Sequence, residues 1–177
     1  MKTVRDICQY IGSVIVDSPI CIETGTMYGE SDGGGAHNTT CNILEFICSP
    51  KKGILHSIDI NQEHINFSRG YCKDKGVVYY GPSGVDSVDV LKRLSKSYES
   101  PPQFRVEYNG VSSLYLPRYV DLLCLDSKEF DEDHMVNEYM AIKDRLAQKH
   151  FVLVDDIHNP NSVKWKKMVP RLKELSY

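Results

Sequence analysis

Apolar positions along the chain switch repeatedly between helical spacing and short buried runs. Residues 3–16 place Val4, Ile7 and Ile11 on one helical stripe, and 19-PICIE-23 is a short apolar run. The same alternation continues to the C-terminus and predicts helices over 3–16, 38–48, 62–74, 86–98, 132–149 and 162–176. Strands are predicted over 19–23, 53–60, 77–81, 119–126 and 151–156, with an extra strand over 103–110 of undetermined placement. Pro170 either kinks the last helix or starts a new one.

This alternation predicts right-handed βαβ units, in which a parallel sheet carries helices on both faces. The chain has 177 residues, enough for a core of its own, and neither a linker nor an internal repeat divides it. We therefore predict one domain over 1–177. Ligands of such sheets bind beyond the carboxyl ends of the strands, so the residues that follow each strand are the candidates for chemistry.

Composition and charge narrow the class of protein. The formal net charge of -3 argues against a general nucleic-acid binder. The first 20 residues contain no signal-peptide core, and no apolar run approaches the length of a membrane span. The six cysteines form no CxxC pair, so reduced, buried thiols are favoured over disulfides or a zinc site. A cytoplasmic protein with no membrane partner is expected.

Polar residues and glycines follow all five sheet strands. In chain order they are Glu23 and Gly25, Asp59 and Asn61, Gly81 and Ser83, Asp126, and Asp155 and Asp156. Any one of these acids, taken alone, is more often a helix cap or a solvated loop residue. Their joint position at one edge of a sheet favours a ligand site.

The glycine spacing after the first strand separates two kinds of Rossmann-like protein. The dinucleotide fingerprint GxGxxG is absent, which opposes a dehydrogenase. Instead the chain has E-x-G-x-x-x-G-x-S from Glu23 to Ser31, followed in order by 58-IDIN-61, 80-YGPS-83, 123-LCLD-126 and 152-VLVDD-156. With these motifs the chain resembles, from about Ile22 to Asn159, the class I S-adenosylmethionine-dependent methyltransferases. More narrowly, it resembles the cation-dependent small-molecule O-methyltransferases, the group of catechol O-methyltransferase.

The resemblance implies a fold and a cofactor site. The fold is a Rossmann-like three-layer α/β sandwich with strand order 3-2-1-4-5. The family's sheet usually adds two more strands, whereas only about 20 residues follow Asp156, so either the sheet is reduced at its C-terminal edge or the chain is a fragment of a longer protein. Cofactor contacts are implied at the methionine part (Glu23 and Gly25), the carboxylate (Ser31), the ribose hydroxyls (Asp59) and the adenine (Ser83). Three more residues are expected in the cofactor site without an assigned part of the molecule: Thr26, Gly81 and Asp126.

A divalent cation, Mg²⁺ in the first instance, is implied at Asp126, Asp155 and Asp156. Three converging carboxylates repel one another unless a cation neutralises them, and an all-oxygen site suits Mg²⁺. Such an ion would lower the pKa of an acceptor hydroxyl and orient it. Lys128 and His158 are the candidate catalytic residues beside Asp126. Lys128 lies one position before the family's lysine, and an exposed loop lysine explains it equally well. His158 could serve as a metal ligand, a substrate contact or a base, although a loop histidine more often has none of these roles.

The expected reaction is O-methylation of a small hydroxylated molecule, with no nucleic acid involved. A metal-free enzyme acting on a sugar or glycan and a non-catalytic cofactor-binding module are the alternatives. A missing sheet edge would leave part of the acceptor pocket to a partner, such as a second copy in a homodimer.

Two further segments depart from the family pattern. The run 32-DGGGAHN-38 leaves two alignments open. The cofactor carboxylate meets either Ser31, or Thr39 or Thr40 at the N-terminus of the next helix, where amide groups favour an anion. The basic tail is predicted to be a solvated helix face; its cationic residues are Lys164, Lys166, Lys167, Arg171 and Lys173.

Overall fold

A computed structural model describes residues 3–28, 39–96, 107–108, 111–112, 119–127, 130–157, 159 and 161–175. Its helices are α1 (Val4–Val14), α2 (Thr39–Ile43), a π-helical turn (Leu44–Cys48), α3 (Ser49–Lys51), α4 (Gln62–Cys72), α5 (Ser87–Lys96), α6 (His134–Ile142), a 3₁₀ turn (Lys143–Arg145) and α7 (Met168–Glu174). Its strands are β1 (Ile20–Thr24), β2 (Ile54–Ile58), β3 (Val77–Tyr80), β4 (Glu107–Tyr108), β5 (Val111–Ser112), β6 (Val120–Leu125) and β7 (Leu146–Val154).

Five strands form one parallel sheet in the order β3-β2-β1-β6-β7. Counted without the short antiparallel pair β4–β5, this is the predicted order 3-2-1-4-5, and the fold class is confirmed. The backbone amide of Ile20 donates to the buried carboxylate of Asp121 at 2.9 Å, which ties the start of β1 to β6. The order in which strands are added to the sheet reverses at β1, because β2 and β6 lie on its two sides, and this reversal positions the site.

Alternate side chains of β1 enter two separate cores. Cys21 packs with α1, the π-helical turn and α4 on one face of the sheet. Ile20 and Ile22 pack with α5, α6 and α7 on the other face. All six cysteines are buried free thiols, as composition predicted. No helix in the described ranges has the length and apolar character needed to cross a bilayer.

The predicted helix over 132–149 is too long. Helix α6 ends at Ile142, and Leu146 begins strand β7, where it pairs with Val120. Leu146 continues the apolar stripe of Met135, Tyr139 and Ile142, so its spacing alone reads as helix. Pairing with β6 overrides that local pattern.

The C-terminal prediction is also only partly right. Residues 161–167 form turns, and α7 begins at Met168. Pro170 therefore lies in the first turn of a new helix, where its missing N–H is tolerated. The predicted strand over 103–110 falls largely outside the described residues, and its described part, β4, pairs with β5 apart from the main sheet.

Candidate functional site

A cleft of about 630 Å³ opens at the carboxyl edge of the sheet, where β1 lies between β2 and β6. This is the reversal point at which open α/β sheets bind ligands, and the volume lies in the range of small-molecule sites. Each contributing strand supplies the residues that follow it. The lining includes Gly25, Thr26 and Tyr28 after β1, Asp59 and Asn61 after β2, Asp126 and Ser127 after β6, and Asp155 and Asp156 after β7.

Gly25 turns the chain away from β1 at the floor of the cleft. Its φ is +83°, and a Cβ at this position would lie 2.1 Å from the carbonyl oxygen of Asp126. Its amide donates to the carbonyl of Ile58 at 2.8 Å. Only glycine fits this junction, because a side chain would meet the backbone that leads into the cleft from β6.

Glu23 lies beneath this floor and is completely buried. Its carboxylate accepts hydrogen bonds from Thr40 Oγ1 at 2.9 and 3.0 Å and from Ser57 Oγ at 2.9 Å. Thr40 Oγ1 in turn accepts from the Met27 amide at 3.1 Å. Burial raises the pKa of Glu23 to about 8, against the lowering effect of the two hydroxyls. Glu23 thus ties the loop after β1 to α2 and β2.

Asp59 connects two loops at the side of the cleft. It accepts hydrogen bonds from the backbone amides of Thr26 at 3.1 Å and Asn61 at 2.7 Å, and His64 Nδ1 lies 3.2 Å from its carboxylate. The His64 ring stacks on Tyr28, with centroids 4.5 Å apart. The carboxylate is therefore held at the end of β2 with a flat aromatic pair beside it.

The three acids predicted to bind metal all line the cleft, but a lysine lies among them. Lys164 Nζ is 2.5 Å from Asp126 Oδ1 and 3.0 Å from Asp156 Oδ2. Burial raises the pKa of Asp126, and the Lys164 ammonium opposes that rise. Asp155 Oδ2 accepts from Thr39 Oγ1 at 2.9 Å. Within the described part of the chain, no group of three or more His, Cys, Asp or Glu side chains is arranged to hold a metal ion.

A second buried network lies on the α6 side of the cleft. Glu138, which is completely buried, accepts from Ser87 at 2.5 Å, from Ser127 at 2.6 Å and from Thr24 at 3.2 Å. His134 Nε2 lies 3.3 Å from the same carboxylate. Four elements thereby meet at one side chain, and Ser87, Ser127 and His134 face the cleft.

Some predicted site residues are not brought together. Gly81 and Ser83 are not among the described residues that line the cleft. The Ser83 hydroxyl instead donates to Gln62 Oε1 at 2.6 Å. Asp86 and Ser87 occupy that side of the cleft instead. Ser31, Lys128 and His158, like the glycine run 33–35, lie outside the described residues, so their predicted roles stay predictions.

Of the two alignments of the glycine-rich segment, the described residues include only the positions of the second, Thr39 and Thr40. Helix α2 begins at Thr39, close to the predicted start. The hydroxyls of Thr39 and Thr40 both donate to carboxylates of the protein, Asp155 and Glu23 respectively. Both hydroxyls are thus engaged within the protein, and contact between a cofactor carboxylate and the amides at the start of α2 stays a prediction.

Sequence reasoning missed Lys164 and Glu138. Lys164 was expected on a solvated helix face, yet its side chain is 1% exposed. It lies in the turns before α7, and nothing in the local pattern distinguishes it from the exposed Lys166 and Lys167. Glu138 did carry a signal, because a carboxylate on the apolar stripe between Met135 and Ile142 requires buried partners.

Comparison with known proteins supports the fold. No protein-family model and no curated protein matches the chain. A proposed rRNA methylase from Clostridium thermocellum superposes with a TM-score of 0.59 at 12% identity, over 98% of this chain and 83% of that one. An rRNA methylase from Streptococcus thermophilus superposes with a TM-score of 0.51 at 10% identity, over 99% of this chain and 79% of that one. The chain therefore has the Rossmann-like fold found in methyltransferases.

These neighbours contradict the expected partners. A small hydroxylated acceptor with no nucleic acid was predicted, whereas both neighbours are, by their names, methylases of rRNA. The small acceptor was implied by the resemblance to small-molecule O-methyltransferases. The exclusion of nucleic acid leaned on the net charge of -3, which sums over the whole chain and says little about a local surface that meets a substrate.

Proposed function

We propose that this protein is an S-adenosylmethionine-dependent methyltransferase. The observation that carries the proposal is the cleft at the reversal point of a 3-2-1-4-5 sheet, with Gly25 after β1 and Asp59 after β2. A glycine lets the backbone approach a ligand closely, and a carboxylate at the end of the second strand can accept ribose hydroxyls. Both features occur at the positions that the resemblance assigns to the cofactor.

The residues present fit this cofactor. The Thr26 hydroxyl is buried in the loop that lines the cleft and has no hydrogen-bond partner among the described residues. Asp59 uses three contacts, and a carboxylate has about four acceptor positions, so one remains for a ribose hydroxyl. The Tyr28–His64 stack adds an aromatic surface beside that carboxylate.

When bound, the cofactor supplies a methyl group on a sulfonium sulfur, and this sulfur is the leaving group of the transfer. The protein then has to position an acceptor and exclude competing water. Asp126 and Ser127 follow β6 and face the cleft, so they are the described residues best placed to orient an acceptor. The network around Glu138 fixes Ser127, because the Ser127 hydroxyl donates to this buried carboxylate at 2.6 Å.

RNA is the acceptor class that the two rRNA methylases support. An exposed aromatic ring at the cleft is consistent with it, since unstacked bases pack on such rings, and Tyr28 is 55% exposed. The 2′-hydroxyl of an RNA ribose is an acceptor whose methylated atom is oxygen, as the resemblance to O-methyltransferases implies. The test is transfer of labelled methyl from S-adenosylmethionine to total RNA, followed by nucleoside analysis. Label on a base would move the acceptor atom from oxygen, and no label on any RNA would exclude this acceptor class.

The cofactor site gives a prediction that needs no acceptor. Asp59→Asn preserves the shape of the side chain but replaces the charged acceptor of the ribose hydroxyls. We expect S-adenosylhomocysteine to bind the wild type and to bind this variant ten- to a hundredfold more weakly, because a hydrogen bond to a charged group contributes about 1.5–3 kcal/mol. Isothermal titration calorimetry measures both affinities.

Asp17→Asn is the matched control. It removes an exposed carboxylate before β1, at the opposite end of the strand from Gly25, and should leave the affinity unchanged. Thermal unfolding of both variants checks their folding, since Asp59 also accepts two backbone amides. Absence of binding to the wild type would overturn the proposed function. Equal binding to wild type and Asp59→Asn would place the ribose elsewhere.

A further inference from the structure

The ammonium of Lys164 occupies the place where the resemblance implied a divalent cation. It contacts Asp126 Oδ1 at 2.5 Å and Asp156 Oδ2 at 3.0 Å, and its side chain is 1% exposed. The two carboxylates are 27% and 36% exposed on the cleft side. A buried lysine pairing with two cleft carboxylates is a costly arrangement that needs good geometry to persist.

The backbone at each of the two acids that contact the Lys164 ammonium supports this geometry. Asp156 has φ of 58°, in the left-handed region that glycine, asparagine and aspartate adopt more often than other residues. The Asp126 amide donates to the carbonyl of Thr24 at 3.0 Å, which holds its side chain at the end of β6. Lys164 reaches the pair from the turns that precede α7, and Met168, at the start of that helix, is buried in the core. Three separate segments therefore converge on one ion pair.

A divalent cation does not fit the same position. Mg²⁺ requires about six oxygen ligands in octahedral geometry. Two of the three candidate carboxylates contact the ammonium, and the third, Asp155, accepts the Thr39 hydroxyl. An ion between Asp126 and Asp156 would also lie beside a like charge buried with it. The residues at this point suit an ammonium with three donors better than a metal.

We infer that Lys164 is the resident cation of this site and replaces the divalent metal that the resemblance implied. Lys164 is a positioning residue: it holds the carboxylates of Asp126 and Asp156 at the cleft and lets the site assemble without metal. For methyl transfer, this inference rests on the proposed function. Whether lysine or metal occupies the site can be tested without cofactor or acceptor. The inference about Lys164 and the proposed methyltransferase function can therefore fail separately.

The experiment titrates Mn²⁺, detected by electron paramagnetic resonance, into the full chain. Wild type should show no site-specific Mn²⁺ binding. Lys164→Ala removes the ammonium and opens space beside the two acids, and its Mn²⁺ affinity should be at least tenfold above the weakest affinity that the wild-type titration would have detected. Lys164→Met removes the charge but fills the space, and should gain much less. Lys167→Ala, an exposed lysine paired with Asp133, should behave as wild type.

Thermal unfolding gives a second measurement. Lys164→Ala should lower Tm by about 10 °C, because two partly buried carboxylates lose their partner. Mn²⁺ should restore part of this loss, and should leave the wild-type Tm unchanged.

Two results would overturn the inference. One is wild-type Mn²⁺ binding that disappears in Asp156→Asn, since the lysine would then give way to metal. The other is a folded Lys164→Ala that gains no Mn²⁺ affinity, since the acids would then form no cation site that the lysine replaces. If Lys164→Ala does not fold, the wild-type titration decides alone, and absence of Mn²⁺ binding supports the inference.

Discussion

Gly25→Ala should destabilise the protein by about 2–4 kcal/mol or more and abolish S-adenosylhomocysteine binding. Two costs combine at this position. The left-handed φ of +83° costs an alanine about 1 kcal/mol. A Cβ 2.1 Å from the Asp126 carbonyl oxygen must also push β1 and β6 apart, and overpacking against backbone costs about 1–3 kcal/mol or more. Equilibrium unfolding in urea measures the stability, and calorimetry measures the binding.

Three other glycines separate these costs. Gly84→Ala has a left-handed φ of +72° in open space, and should lose only about 1 kcal/mol. Gly12→Ala places a Cβ 2.0 Å from the Phe46 carbonyl oxygen, and neither residue lines the cleft, so this variant should lose stability but keep cofactor binding where it folds. Gly70→Ala, in α4 with nothing nearby, should be neutral or stabilising. A Gly25→Ala variant within about 1 kcal/mol of wild type would mean that the loop adjusts freely and forms no rigid floor.

The sheet and its polar edge could be predicted from the sequence because they depend on local patterns. Strands β1, β2 and β6 are short apolar runs that end in an acid or a glycine. Once βαβ alternation implies a parallel sheet, those ends must share one edge. Glu23, Asp59 and Asp126 therefore came together without any knowledge of side-chain geometry. The pattern failed where pairing decides, as at Leu146, whose helical spacing is overridden by β6.

The chemistry of that edge depends on contacts that no local pattern contains. Asp126 and Lys164 are 38 positions apart, and their pairing requires the turns before α7 to fold back over the sheet. The three acids alone suggest a metal; the lysine among them changes the charge and the donor geometry of the site. Glu138 is similar, since its partners Thr24 and Ser87 belong to β1 and α5. Long-range polar contacts thus decide what a correctly predicted strand edge can bind.

Glu23 should make stability fall as the pH rises. Its pKa is 4.5 in the unfolded chain and about 8 in the folded protein, with burial as the main cause. Between these values the folded protein retains a proton that the unfolded chain has released. Unfolding then releases a proton, and the free energy of unfolding decreases with increasing pH, by up to about 1.4 kcal/mol per pH unit for one group. The loss begins near pH 5 and is complete above about pH 8.

Glu23→Gln removes the titrating group while its oxygen still accepts hydrogen bonds from Thr40 or Ser57. Relative to wild type, this variant should gain about 3 kcal/mol in free energy of unfolding between pH 5 and pH 8, because only wild type must ionise a buried acid. Urea unfolding at several pH values measures the difference, in which other titrating groups cancel. Ser57→Ala keeps Glu23 but removes one donor that favours its charged form, so the wild-type trend should persist and extend to higher pH. A difference between Glu23→Gln and wild type that stays constant across this range would show that Glu23 is ionised in the folded protein and stabilised by its two hydroxyl partners.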